Sequence, residues 1–225
     1  MVEVKICGIT NPEDAQFAAH CGADALGFIF YPRSPRYVSP DRAQEIMGRI
    51  PETITRVGVF VNQSVEEIRA ISACCRLHLL QLHGDESPDF CGQFEAGRVI
   101  KAFAPRSAGD LEAIQDYRVR AILIDARRPG LYGGTGKKAD WYLARQAGKI
   151  RPLLLAGGLR EDNVTEAVRL VAPRALDLNS GLESSPGKKD PQKVKRIMDL
   201  IRSLPPSRLP DTTQNLFNPD TRGFS

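Results

Sequence analysis

The sequence predicts an α/β chain closed into a (β/α)8 barrel, a single domain with a flexible C-terminal tail. Three observations lead there. Short apolar runs alternate with longer amphipathic stretches from end to end, the pattern of parallel strands covered by helices. Eight such units can be counted, and eight in about 200 residues match the compact end of the barrel's size range. The chain of 225 residues, 42% hydrophobic and 26% charged, has the composition and length of a globular domain with a sizeable core. A doubly wound open sheet is the alternative, although it normally uses fewer strands.

The strands are expected at Val2 to Cys7, Ala25 to Phe30, Arg56 to Val61, Leu77 to Leu82, Val99 to Phe103, Ala121 to Asp125, Pro152 to Ala156 and Ala175 to Leu178. Each precedes a helical stretch. Thr10 or Asn11 caps the first helix, with Pro12 inside it; Ser39-Pro40 opens the second, Ser64 with Glu67 the third, and Asp190-Pro191 the last. Val194, Ile197, Met198 and Ile201 repeat at the spacing of a helix that buries one face. The barrel domain then runs from 1 to 204. From 205 to 225 the composition turns polar and proline-bearing, too poor in apolar residues to offset chain entropy. That tail is expected to be flexible, with a docked or partner-binding segment around Leu216-Phe217 as the alternative.

Composition narrows the function. Five cysteines without a repeated spacing argue against a disulfide framework and suit a reducing compartment. With three histidines and no HExxH or CxxC pattern, a dedicated zinc site is not expected. No apolar stretch approaches the roughly 20 residues that cross a bilayer, nothing resembles a signal peptide, and a cytoplasmic location follows as the expectation. The net charge of +4 is mild and scattered, which points away from nucleic acid and is compatible with a small anionic substrate.

A barrel carries its chemistry at the carboxyl ends of its strands. That rule selects Cys7, His83, Asp125, Gly157-Gly158, and Asp177 with Asn179-Ser180-Gly181. Cys7 ends an apolar strand at a turn, where a thiol can face a substrate; a free cysteine is also commonly a small buried hydrophobe. Asp125 closes the apolar run Ala121-Ile122-Leu123-Ile124, in surroundings that favour a neutral carboxyl, and is a candidate general acid. It could equally cap the next loop. The glycine-rich loops Ala156-Gly157-Gly158-Leu159 and Asn179-Ser180-Gly181-Leu182 stand where barrels frequently hold phosphate. Gly133-Gly134-Thr135-Gly136-Lys137 forms another such loop, without P-loop spacing. Arg33 and Arg36 lie in the turn-rich loop after strand two, where arginine can grip a carboxylate or stand solvated.

These blocks together resemble the phosphoribosylanthranilate isomerase family. The resemblance is carried by Lys5-Ile6-Cys7-Gly8-Ile9-Thr10, the stretch from Gly27-Phe28 to Ser34-Pro35-Arg36-Tyr37, Val57-Gly58-Val59-Phe60-Val61, Gln81-Leu82-His83-Gly84, Gly133 to Lys137, Leu155 to Leu159 and Asp177 to Glu183. It spans almost everything before the tail. It implies an Amadori rearrangement of N-(5'-phosphoribosyl)anthranilate to the 1-deoxyribulose 5-phosphate aminoketose, in tryptophan biosynthesis, with no cofactor and no metal. In it Cys7 would be the general base at ribose C2 and Asp125 the general acid at the furanose ring oxygen. Arg36 would pair with the anthranilate carboxylate; Gly134, Gly157, Gly158, Ser180 and Gly181 would hold phosphate; Asp177 would lie at the floor of the site. His83 and Thr135 join the expected substrate-binding set. Leu178-Asn179-Ser180 stands where a Val-Ser-Ser form is familiar. The expected partner is the small-molecule substrate, and the expected assembly a monomer or homodimer. An ordinary thiol titrates near about 8.5, so the site is expected to assist thiolate formation at Cys7. The alternatives are another phosphosugar isomerase, which would call for metal-binding histidines or paired aspartates, and a non-catalytic phosphometabolite-binding barrel.

Overall fold

The computed structural model describes residues 1–125, 141–205 and 215–217. Eight parallel strands pair in sequence order and the first closes on the last: β1 (Glu3–Cys7), β2 (Ala25–Ile29), β3 (Thr55–Phe60), β4 (Leu79–Leu82), β5 (Val99–Phe103), β6 (Ala121–Ile124), β7 (Leu153–Leu155) and β8 (Ala175–Leu178). The expected strands recur with ends shifted by two residues or fewer.

Around them lie α1 (Pro12–His20), α2 (Pro40–Met47), α3 (Val65–Cys74), the single turn α4 (Pro88–Cys91), α5 (Trp141–Ala147), α6 (Val164–Val171) and α7 (Pro191–Ser203). The four helix starts read from sequence are capped as expected. The Asn11, Ser39 and Asp190 side chains accept from first-turn amides, and Ser64 with Glu67 forms a reciprocal capping box.

Among the described residues, two units depart from the simple strand-then-helix expectation. After β5 the chain forms 3-10 turns over Gly109–Asp116, where the buried residues Leu111 and Ile114 are spaced by three, the period of that tighter helix. After β8 a 3-10 turn at Ser180–Leu182 leads into a small hairpin, β9 (Glu183–Ser185) with β10 (Lys188–Lys189), before α7 begins.

Strand alternation divides the core in two. One set, including Val4, Ile6, Leu26, Phe28, Leu80, Leu82, Ile122 and Leu176, packs outward against the helices. The other, including Ala25, Val57, Leu79, Ile100, Leu123 and Leu154, fills the barrel. On β1 the inward positions are Glu3, Lys5 and Cys7, one residue for each level of the interior from the amino-terminal mouth to the carboxyl-terminal rim. Register places Lys5 beside Ala25 and Asp177, and Cys7 beside Gly27.

Undocked behaviour does not hold for the whole tail. Leu216 and Phe217 join the interior cluster at 4% and 2% exposure, so the docked alternative is the one the structure contains there. Two adjacent apolar side chains in a polar stretch suffice because the barrel mouth offers an apolar seat and polar partners for their backbone.

Replacing Ser64 by Ala removes one half of the capping box, a loss of about 1 kcal/mol. Thermal unfolding should show a melting temperature lower by about 2–4 °C with activity unchanged below the transition; an unaltered midpoint would mean that α3 does not depend on its cap.

Candidate active site

Lys5 is the centre of the interior polar network and the residue that sequence reading missed. It is fully buried, and its ammonium donates to Asp177 Oδ1 at 2.9 Å and to Gln81 Oε1 at 2.8 Å. Burial disfavours its charge, but Asp177 and Cys7 together offset that penalty and hold Lys5 above the ordinary lysine range.

One lysine contact sets a chain of orientations. An ammonium can only donate, so the Gln81 oxygen faces Lys5 and the Gln81 amide nitrogen faces His83 Nδ1, 2.9 Å away. That nitrogen must donate, which makes Nδ1 the acceptor and leaves the proton of the neutral imidazole on Nε2. Nε2 lies 3.5 Å from Asp125 Oδ2. The barrel interior thus aims a histidine N–H at Asp125, just past the end of β6.

Cys7 sits at the rim end of β1, 3% exposed. Its place depends on Gly27 across the strand pair: a Cβ there would stand 2.7 Å from the Cys7 sulfur and 2.9 Å from Lys5 Cε, both impossible contacts. Burial raises the thiol above its ordinary range; Lys5 and Lys189 pull it down and Asp177 pushes it up. The expectation of an assisted thiolate is therefore corrected for the unliganded site. Two cations are present, but burial together with Asp177 offsets them and the thiol stays above its ordinary range.

Arg36 is half-buried and already forked onto Glu183, with Nε 2.8 Å from Oε1 and Nη2 2.6 Å from Oε2. This pairing keeps Arg36 above the usual guanidinium range and Glu183 below the usual carboxylate range in spite of burial. Nη1 takes no part in this fork. Lys189 reaches Glu183 Oε1 at 3.2 Å and Asn179 Oδ1 at 3.0 Å, tying the hairpin to the loop after β8.

Gly157 and Gly158 both take left-handed backbone, with φ of 89° and 66°. Gly181 packs so closely on the preceding loop that a Cβ would lie 2.1 Å from the Leu159 carbonyl oxygen. Gly158, Ser180 and Gly181 line one open cavity of about 510 Å³, with Arg160 and Lys193 also on its wall. Gly134 and Thr135 lie outside the described residues. Among the described residues, no group of three or more His, Cys, Asp or Glu side chains is placed to hold a metal ion.

The structure thus brings Cys7, His83, Asp125 and Asp177 to one end of the barrel, with Gly157, Gly158, Ser180 and Gly181 on the loops after β7 and β8. Lys5, Gln81, Glu183 and Lys189 are the additions. A charged Lys5 and a polar Gln81 at inward positions of otherwise apolar strands were the available signals.

The model of the N-(5'phosphoribosyl)anthranilate (PRA) isomerase family matches residues 4–200. The N-(5'-phosphoribosyl)anthranilate isomerase of Syntrophus aciditrophicus is 50% identical over 202 residues, 90% of this chain and 88% of that protein. That of Trichlorobacter lovleyi is 51% identical over 199 residues, covering 88% and 97%. Among solved structures, phosphoribosyl anthranilate isomerase from Thermotoga maritima superposes with a TM-score of 0.83 at 44% identity, covering 91% of this chain and all of that one. A structure of the enzyme in complex with reduced 1-(o-carboxyphenylamino)-1-deoxyribulose 5-phosphate superposes at 0.79 with 42% identity, covering 91% and 100%.

Two measurements check this geometry. In Gln81→Glu the side chain can still accept from Lys5 but offers His83 only acceptor oxygens, so ¹⁵N NMR should show the His83 proton moved to Nδ1 or the ring doubly protonated; a retained Nε2–H tautomer would break the derived chain. Because burial raises the Cys7 thiol, its alkylation by iodoacetamide, followed by mass spectrometry, should rise with pH to a midpoint above that of free cysteine. A midpoint at or below it would mean that Lys5 and Lys189 dominate.

Proposed function

The chain belongs to the N-(5'-phosphoribosyl)anthranilate isomerase family, and from that premise we propose that Cys7 and Asp125 are the base and acid of its aldose-to-ketose isomerisation. The reaction is the isomerisation of phosphoribosylanthranilate in tryptophan biosynthesis. The observation that supports the residue assignment is the convergence of β1, β4, β6 and β8 on one rim, with the Cys7 thiol at the end of β1 and the Asp125 carboxyl 3.5 Å from a His83 that Lys5 and Gln81 orient.

In this mechanism Asp125 gives a proton to the furanose ring oxygen as the C1–O bond breaks, and the anilino nitrogen lone pair forms the C1 iminium. The positive nitrogen acidifies the C2 hydrogen. Cys7, once ionised, takes that proton to give the enolamine, which becomes the ketone by losing the C2 hydroxyl proton and gaining a proton at C1. Both protein groups end in the opposite protonation state and reset through solvent. Positioned acid–base groups of this kind contribute about 10² to 10⁴ each.

Supports for the remaining roles come from the donors still free. Arg36 presents Nη1 to the anthranilate carboxylate while Glu183 holds its other edge, a fork that fixes the guanidinium plane. Gly157, Gly158, Ser180 and Gly181 form the phosphate end, since side chains no larger than serine let backbone amides approach an anion closely. Gly134 and Thr135 are proposed to complete that end and His83 to contact the substrate. Asp177 acts at the floor of the site by anchoring Lys5. No cofactor enters these steps. The barrel domain is assigned to residues 1–204 and the tail to 205–225, with a cytoplasmic location; a small-molecule substrate is its partner, and neither nucleic acid nor membrane is assigned. No helix among the described residues is long and apolar enough to cross a membrane.

Loss of fluorescence as freshly made phosphoribosylanthranilate is consumed gives the test. Cys7→Ser and Asp125→Asn should each lower kcat by about 10²-fold or more with folding retained. Near-normal turnover in either variant sinks its assigned role. The wild-type kcat/KM should be bell-shaped in pH; a flat profile from about pH 5 to 10 would remove the acid–base assignment.

A further inference from the structure

The end of the barrel opposite the active site is also occupied. Three residues beyond α7, Asn215 to Phe217, lie across the amino-terminal mouth, and their backbone is read by three side chains. The Glu3 carboxylate accepts from the Leu216 and Phe217 amides at 2.7 and 3.0 Å. Arg120 donates from Nε to the Leu216 carbonyl and from Nη2 to the Asn215 carbonyl, each at 2.8 Å. The Thr55 hydroxyl donates to the Phe217 carbonyl.

Three strands make room for the side chains. β2, β6 and β8 each begin with alanine, Ala25, Ala121 and Ala175, and all three belong to the same interior cluster as Leu216 and Phe217. Longer residues at these positions would fill the mouth from the strands themselves. Glu3 and Arg120 have no part in the chemistry at the far rim, yet each commits its charge to main-chain groups of the segment. Glu3 faces inward from β1 at the level where a closed barrel would ordinarily place an apolar side chain.

We propose that the amino-terminal mouth of this barrel is a peptide-binding socket whose ligand is the chain's own Asn-Leu-Phe segment, which acts as an intramolecular stopper. The occupant comes from the same chain because α7 delivers it there. A helix that follows the last strand runs back towards the strands' amino-terminal end, and Arg202, in its final turn, donates to the Gly22 carbonyl just before β2. The end of α7 and residues 215–217 therefore lie at the same end of the barrel. The socket recognises the main chain through Glu3, Arg120 and Thr55, and selects side chains by the volume above the three alanines. Its effect is on stability, since it lies at the other end of the barrel from Cys7.

The test compares the full chain with one ending at Leu204. Truncation should lower the melting temperature by about 5–10 °C, from the loss of two buried side chains and their backbone partners, with kcat retained well below the transition. A synthetic peptide spanning residues 211–221 should bind the truncated protein, measured by calorimetry, and restore several degrees of the lost stability at saturating concentration. The same peptide with Phe217→Ala should not, and Glu3→Gln should weaken binding at least tenfold. A truncated chain that melts within a degree of the full one, or that ignores the peptide while remaining folded and active, would overturn the socket. A full-length protein whose mass in solution is that of a dimer and falls to a monomer on truncation would overturn the intramolecular assignment.

Discussion

The buried ion pair between Lys5 and Asp177 is the constraint on which the rest of the site depends. An ammonium with no access to water needs acceptors on every available side, and the interior of a barrel is otherwise alkyl. Asp177 and Gln81 supply them from the neighbouring β8 and from β4 across the interior. Once they do, little freedom is left: the amide of Gln81 cannot flip, the tautomer of His83 follows, and the histidine N–H faces Asp125. Removing either partner would strand a charge at a cost of several kcal/mol. Such a pair is poor evidence for stability, but it specifies orientation well.

The space for that lysine comes from small residues. Gly27 admits both the Lys5 stem and the Cys7 sulfur, and the absence of a side chain there lets β1 carry polar groups inward where β7 carries leucine. The interior is therefore graded along its axis. Glu3, Lys5 and Cys7 mark the three levels of β1, serving respectively the tail socket, the fixed ion pair and the reactive rim. Rigid strands carry all three, so a change at one mouth need not disturb the other.

Electrostatics at the rim favour a resting enzyme with its charges already paired. Arg36 is paired with Glu183, Lys189 sits against the same carboxylate, and burial pushes the Cys7 thiol up. An anionic substrate entering this site meets cations whose positions are already held, which lowers the reorganisation needed during reaction. The two cations beside Cys7 stabilise its thiolate when it forms, while desolvation stops it from forming idly.

The barrel was legible because period and punctuation are local: alternating apolar runs, proline after a capping residue, and glycine at turns report on strands and helices without knowledge of the fold. Cys7, Asp125 and the loops after β7 and β8 were legible because the carboxyl ends of strands can be located once the strands are counted. Lys5 and Gln81 were not, because a polar residue inside a strand has no partner in sequence; Gln81 and Asp177 are 76 and 172 positions from Lys5. Arg36 was expected to wait for a carboxylate, and only closure of the barrel brings it Glu183. The docking of Leu216 and Phe217 likewise required the ring of Ala25, Ala121 and Ala175 to exist first. The sequence by itself determined the elements, their order and which residue types reach the rim, since these depend on neighbours along the chain. Tertiary structure alone decided protonation, tautomer and the fate of the tail, since these depend on burial and on partners that meet only when eight strands close.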